Sequence, residues 1–133
     1  MPLQADPLVA TVIGCAIEVH AALGPGLLES AYERCVSHEF SIRGLAVERQ
    51  LPLPVNYRGL QLDCGYRVDF LVERRLVIEL KTVDRVLPIH QAQILTYMKL
   101  LRAPQGLLMN FNVARLVDGI SSGVEKAGSD YGS

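Results

Sequence analysis

Asp69, Glu79 and Lys81 lie in the stretch YRVDFLVERRLVIELK, residues 66–81, which reads as two β-strands joined by a tight turn. Side chains alternate along a strand, so Val68, Phe70, Val72, Leu76, Ile78 and Leu80 are expected on one side, and Asp69, Glu79 and Lys81 on the other. A turn centred on Arg74 sets Asp69 opposite Glu79, with Lys81 two residues further along the same side. Opposed side chains in such a pair stand about 5 Å apart. At an effective dielectric of ~20, two carboxylates at that distance repel by roughly 3 kcal/mol. Something positive must sit with them. Lys81 could balance the pair alone, as a structural charge cluster. Alternatively, a hard cation such as Mg²⁺ or Mn²⁺ binds the acids and leaves Lys81 to polarise a water, which is the layout of a hydrolytic site.

Two further groups could complete such a site. Gly26 to Tyr32 reads G-x-x-E-x-x-Y, and the i, i+3 spacing puts Glu29 and Tyr32 on one side of a helix. Glu29 falls in the first helical turn, where the helix dipole favours a carboxylate whatever its role. It could also reach over the hairpin as a third acid. Gln93 and Tyr97 form a Q-x-x-x-Y pair on the helix that follows the Glu79 strand. They could be an ordinary polar flank, or they could hold a phosphate or water without adding charge. His20 and His38 read as core or surface histidines rather than ligands.

These groups need a scaffold, and the pattern supplies one. Asp6 and Pro7 suit an N-cap and first helical position, and Leu8 to Leu23 carries an apolar stripe at helical spacing. Gly24, Pro25 and Gly26 form an elbow before a second helix that ends near Gly44. Leu45 to Val55 alternates, but Pro52 and Pro54 lack amide donors, which predicts an edge or bulged strand. After a turn at 56–59, Leu60 to Val72 reads as one long strand bent at Gly65, and Leu76 to Val83 as the next. Pro88 opens a helix through Arg102, Gly106 to Phe111 gives a fourth strand, and Arg115 to Ile120 a short fifth. This order predicts an α/β fold with helices flanking a mixed sheet.

At 133 residues, half of them hydrophobic, the chain suits one globular domain over 1–121 with a small, polar, glycine-rich tail at 122–133. The net charge of −1 and pI near 6.3 exclude the strong basic footprint of an avid duplex-DNA binder. Cys15, Cys35 and Cys64 lack zinc-site spacing and read as packed thiols in a reducing compartment. No run of apolar residues approaches the length of a membrane span and no secretory leader is evident, so a cytoplasmic protein is expected.

The strings VHAALGPGLLESAYE (19–33), YRVDFLVERRLVIELKTV (66–83), HQAQILTYMKL (90–100) and GLLMNFNVARLVDGI (106–120), taken in order, resemble the GxxExxY family. That family is a small-protein branch of the PD-(D/E)XK nuclease-like superfamily. The resemblance spans residues 8–120 and implies a restriction-endonuclease-like αβββαβ core. It implies Asp69 and Glu79 as metal ligands, with the Leu80 carbonyl and Glu29 as further ligands to Mg²⁺ or Mn²⁺. It further implies Lys81 orienting the attacking water, and Gln93 with Tyr97 as the Q-x-x-x-Y element of the RecB-type nucleases. Val68 departs from the pattern, standing where a proline often precedes the first aspartate. The implied activity is hydrolysis of nucleic-acid phosphodiesters. The rival expectation is a catalytically silent nuclease-fold module, working as a homodimer or with a partner protein.

Overall fold

A computed structural model describes residues 6–123. Helix α1 (Pro7–Leu23) starts as expected, with the Asp6 carboxylate accepting from the Leu8 and Val9 amides. Helix α2 spans Glu29–Ile42. Strands β1 (Val47–Pro52), β2 (Val55–Tyr57), β3 (Leu60–Leu62), β4 (Arg67–Val72) and β5 (Leu76–Lys81) follow. Helix α3 (Pro88–Leu101), β6 (Gln105–Asn110), a 3-10 turn at Leu116–Gly119 and β7 (Ile120–Ser122) complete the order. The main sheet runs β1-β4-β5-β6-β7, with β5 and β6 parallel and the other neighbours antiparallel. The expected mixed α/β architecture is present, and β1 is the expected edge strand, but it ends at Pro52, and Val55, expected in it, opens β2 instead.

The core lies on both faces of this sheet. On one, α1 and α2 bring Val12, Ala16, Tyr32, Val36 and Phe40 against Phe70, Val72, Ile78, Leu80 and Met109. On the other, Ile94, Tyr97 and Met98 of α3 cover Val68, Leu71, Val77 and Leu108. Burial on two faces explains why β5 reads as an unbroken apolar run except for Glu79.

Further expectations need correction. Residues 60–72 are not one strand: β3 pairs only with β2 in a separate two-stranded hairpin, and the chain breaks pairing at 63–66 before β4. Gly65, at φ 78°, makes that break where a bend within a strand was expected. The last strand starts at Ile120, because residues 116–119 wind into the 3-10 turn. Val68 does not share the Phe70 side but joins the α3 cluster. The alternation of sides is thus broken between Val68 and Phe70, across from Gln50, whose φ is 52°. The β1–β4 ladder accordingly pairs Arg49 with Phe70 and Leu51 with Val68 and skips the step between. Cys15 is buried, but Cys64 is exposed in the broken segment, contrary to the packed thiol expected there. Of the tail placed at 122–133, Ser122 pairs with Leu107 in β7 and Gly123 N donates to Gly106 O, and the rest lies outside the described residues. Among the described residues no helix is long and apolar enough to cross a membrane.

Candidate active site

The hairpin register is the expected one: Phe70 pairs with Ile78 and Val72 with Leu76, about a turn whose residues Glu73 and Arg74 both take positive φ. Pairing between β4 and β5 stops at Phe70 and Ile78, whereas β5 stays paired with β6 out to Lys81 and Asn110. The two strands therefore part at Asp69 and Glu79. In the opening, each carboxylate instead takes a main-chain amide. Asp69 N donates to Glu79 Oε1 at 3.0 Å, and Leu80 N donates to Asp69 Oδ2 at 2.8 Å. Leu80 thus enters through its main chain, its side chain being buried in the core.

Burial, then the charge of Asp69, pushes the Glu79 carboxyl up to about 8. Burial also raises Asp69, against the pull of the Leu80 amide. Two acids so placed cannot both carry charge cheaply near neutrality. Lys81 favours their ionised forms from the end of β5, where it is half-buried. Asn110 secures the chain just beyond it: its amide donates to Val83 O and its oxygen accepts from Val83 N, while Phe111 N donates to Lys81 O at 2.8 Å.

Glu29 stands at the exposed rim, on the first residue of α2. Partial screening from water and then the Asp69 charge raise it, and Lys81 opposes the rise. It is near enough to feel both groups, yet it does not close around them. Among the described residues no three His, Cys, Asp or Glu side chains gather tightly enough to enclose an ion. Tyr32, its partner in the G-x-x-E-x-x-Y string, is fully buried and away from the acids. Its hydroxyl donates to Gly24 O and accepts from Leu27 N, and its ring stacks on Phe111 at 4.6 Å. Tyr32 ties down the glycine elbow from which Glu29 emerges.

Tyr97 of α3 packs in the cluster on its face of the sheet, near enough to feel the charge of the same acids. Burial raises its phenol, with Glu79, Tyr66 and Asp69 adding to the rise and Gln93 beside it opposing. His20 is a core histidine whose Nε2 meets the carbonyls of Phe111 and Val113, and His38 is exposed. The sequence reading overlooked Gln50, Glu33 and Arg49. The Gln50 amide donates to Glu33 and, at 3.2 Å, to Asp69 Oδ1, while Arg49 pairs with Glu33 at 2.9 Å. Glu33, one helical turn after Glu29, could have been found by spacing; a lone glutamine on an edge strand carries no such signal.

The donors fit a hard cation that keeps most of its water. Mg²⁺ characteristically takes one or two protein carboxylates and fills its other positions with water and substrate oxygens, and Asp69 with Glu79 supplies two. A family model described as PD-(D/E)XK nuclease superfamily matches residues 6–122. No curated protein and no solved structure matches the chain.

Proposed function

Because the chain belongs to the PD-(D/E)XK nuclease superfamily, we propose that it is a metal-dependent nuclease hydrolysing phosphodiester bonds at the Asp69–Glu79–Lys81 centre. The observation that carries this reading is the acid pair at the parting of β4 and β5, Glu79 buried and Asp69 half-buried, with Lys81 nearby. The G-x-x-E-x-x-Y string at Gly26–Tyr32 supports a place in the GxxExxY branch.

Asp69 and Glu79, with the Leu80 carbonyl and Glu29 as further oxygen donors, would hold Mg²⁺ or Mn²⁺. When bound, such an ion polarises the phosphoryl oxygen and makes its water more acidic. Lys81 hydrogen-bonds the attacking water or a non-bridging phosphate oxygen and offsets the negative charge that builds on phosphorus. Glu29, at the rim and raised from its ordinary value, would either complete the oxygen donors around the ion or accept the proton released by the water. Gln93 and Tyr97 present an amide and a phenol that donate to the phosphate and fix its orientation. The water oxygen bonds to phosphorus and the bond to the departing sugar oxygen breaks. That oxygen picks up a proton, leaving a phosphate monoester and a hydroxyl end.

Lys81→Ala is expected to lower Mg²⁺-dependent cleavage of labelled DNA and RNA strands by at least about a hundredfold with an unchanged circular dichroism spectrum. Equal turnover by the two proteins would defeat the catalytic reading. The rival reading, a silent nuclease-fold module assembling with a copy of itself or a partner, draws on the small β2–β3 hairpin, which exposes Tyr57, Leu60 and Leu62. A stable oligomer inert toward both nucleic acids would favour it.

A further inference from the structure

A cleft of different character adjoins the acids. Val55 and Tyr66 on the strand side and Ile89, Gln93, Thr96 and Tyr97 on α3 line a space of about 310 Å³. Its lining is mainly apolar and aromatic, unlike the carboxylates next to it. Gln93 and Tyr97 belong both to this cleft and to the candidate site, so the two are continuous. Tyr66 immediately precedes β4, the strand that carries Asp69. It is 45% exposed and Ile89 is 67% exposed, a large apolar surface left in water beside a site for a charged polymer.

With a net charge of −1, the chain has little general attraction for phosphates. Affinity for a nucleic acid must come from elsewhere, and aromatic stacking is the available source because every base offers a π face. Bases in a duplex are already stacked and paired, so only an unpaired base can enter a side cleft. The volume lies at the small end of the range for small-molecule pockets, as a single planar heterocycle needs. Gln93 adds a donor and an acceptor for a base edge.

We propose that this cleft is a nucleobase subsite: it takes an unpaired base, stacked on Tyr66, from the strand whose backbone lies at Asp69 and Glu79. Single-stranded nucleic acid is then the substrate class. This rests on the nuclease reading above, but it has its own readout.

The test is fluorescence anisotropy with the full chain and EDTA present, so that binding is measured without cleavage. The probes are labelled oligothymidylate and oligouridylate of about a dozen nucleotides, a duplex of equal length and an abasic strand of equal length. The single strands should bind at least about tenfold tighter than the duplex and the abasic strand. Tyr66→Ala should weaken single-strand binding about tenfold and leave abasic binding unchanged, while Tyr66→Phe should keep near-normal affinity. Base-dependent binding of either oligomer supports the subsite, and the tighter one identifies the sugar. Equal affinity for base-bearing and abasic strands, no binding of any probe, or an unaffected Tyr66→Ala protein overturns it. Loss of self-association on Tyr66→Ala with unchanged strand binding would assign the cleft to a second copy instead. Base-dependent binding without Mg²⁺-dependent cleavage would sink the nuclease reading and leave the subsite standing.

Discussion

Glu79 carries the largest electrostatic cost at the site, and its pH dependence has a definite sign. Below the ordinary carboxylate range it holds its proton both in the folded and in the unfolded chain. Between that range and about 8 the unfolded chain has released the proton and the folded chain has not. Each step up in pH there favours unfolding, until both forms are ionised. The metal-free protein should therefore lose on the order of 2 kcal/mol as pH climbs from about 5 to 8. Urea titrations across that range would measure the loss. Glu79→Gln should flatten it, because a neutral amide keeps an oxygen for the Asp69 amide and never ionises. Millimolar Mg²⁺ should raise Tm more at the upper end of the range than at the lower. A metal-free protein that gains stability over this window would contradict the buried, protonated Glu79. This much was legible from spacing: alternation together with a turn centred on Arg74 puts Asp69 opposite Glu79 with Lys81 beyond. Alternation could not reveal that the strands part there, nor that Gln50 on the facing strand takes a positive φ, which no residue type announces.

Among the elements, the elbow between α1 and α2 has a role out of proportion to its length. Gly24 and Gly26 both take positive φ, and the Tyr32 hydroxyl joins the Gly24 carbonyl to the Leu27 amide across that bend. Helix α2 otherwise lacks a side-chain cap at its start. Tyr32→Phe keeps the stack on Phe111 but removes both hydrogen bonds. It should cost about 1 kcal/mol and lower turnover about tenfold through a less firmly placed Glu29. Thermal melts and steady-state rates would check this; full activity at a lowered Tm would detach the elbow from catalysis. The G-x-x-E-x-x-Y spacing brought Glu29 and Tyr32 to attention as a pair on one helical side. Their division of labour, one residue toward the site and the other into the core, came from tertiary packing that periodicity does not encode. The broken strand at residues 60–72 has a similar cause. Both halves suit β structure locally, and only the left-handed Gly65 and the separate partner chosen by β3 divide them.

For the molecule as a whole, near-neutral charge beside an acidic centre sets the terms on which a polyanion is held. Thirteen basic and fourteen acidic residues give no broad positive field. Arg49, Arg74 and Arg75 are moreover each paired with a carboxylate. Binding of a single strand should depend weakly on salt, with a slope of log K against log salt no steeper than about −2. Anisotropy titrations between low and physiological ionic strength would give the slope. A value near −6 would mean that phosphate contacts, not base stacking, dominate. Composition already counted against an avid duplex binder. The cleft on α3 was invisible at that level, because Tyr66 and Ile89 become neighbours only once α3 packs back across β5.

The acids at the parting of β4 and β5 also serve as surrogate carbonyls, taking up the amide protons of Asp69 and Leu80 that the ladder leaves over. Turning either carboxylate toward an ion would strip one of those protons of its acceptor. If the site takes Mg²⁺ in this way, the protein would carry its own gauge of loading, readable by deuterium exchange: both amides should exchange slowly in EDTA and faster once Mg²⁺ is added, against the general tightening a bound ion brings to the rest of the sheet.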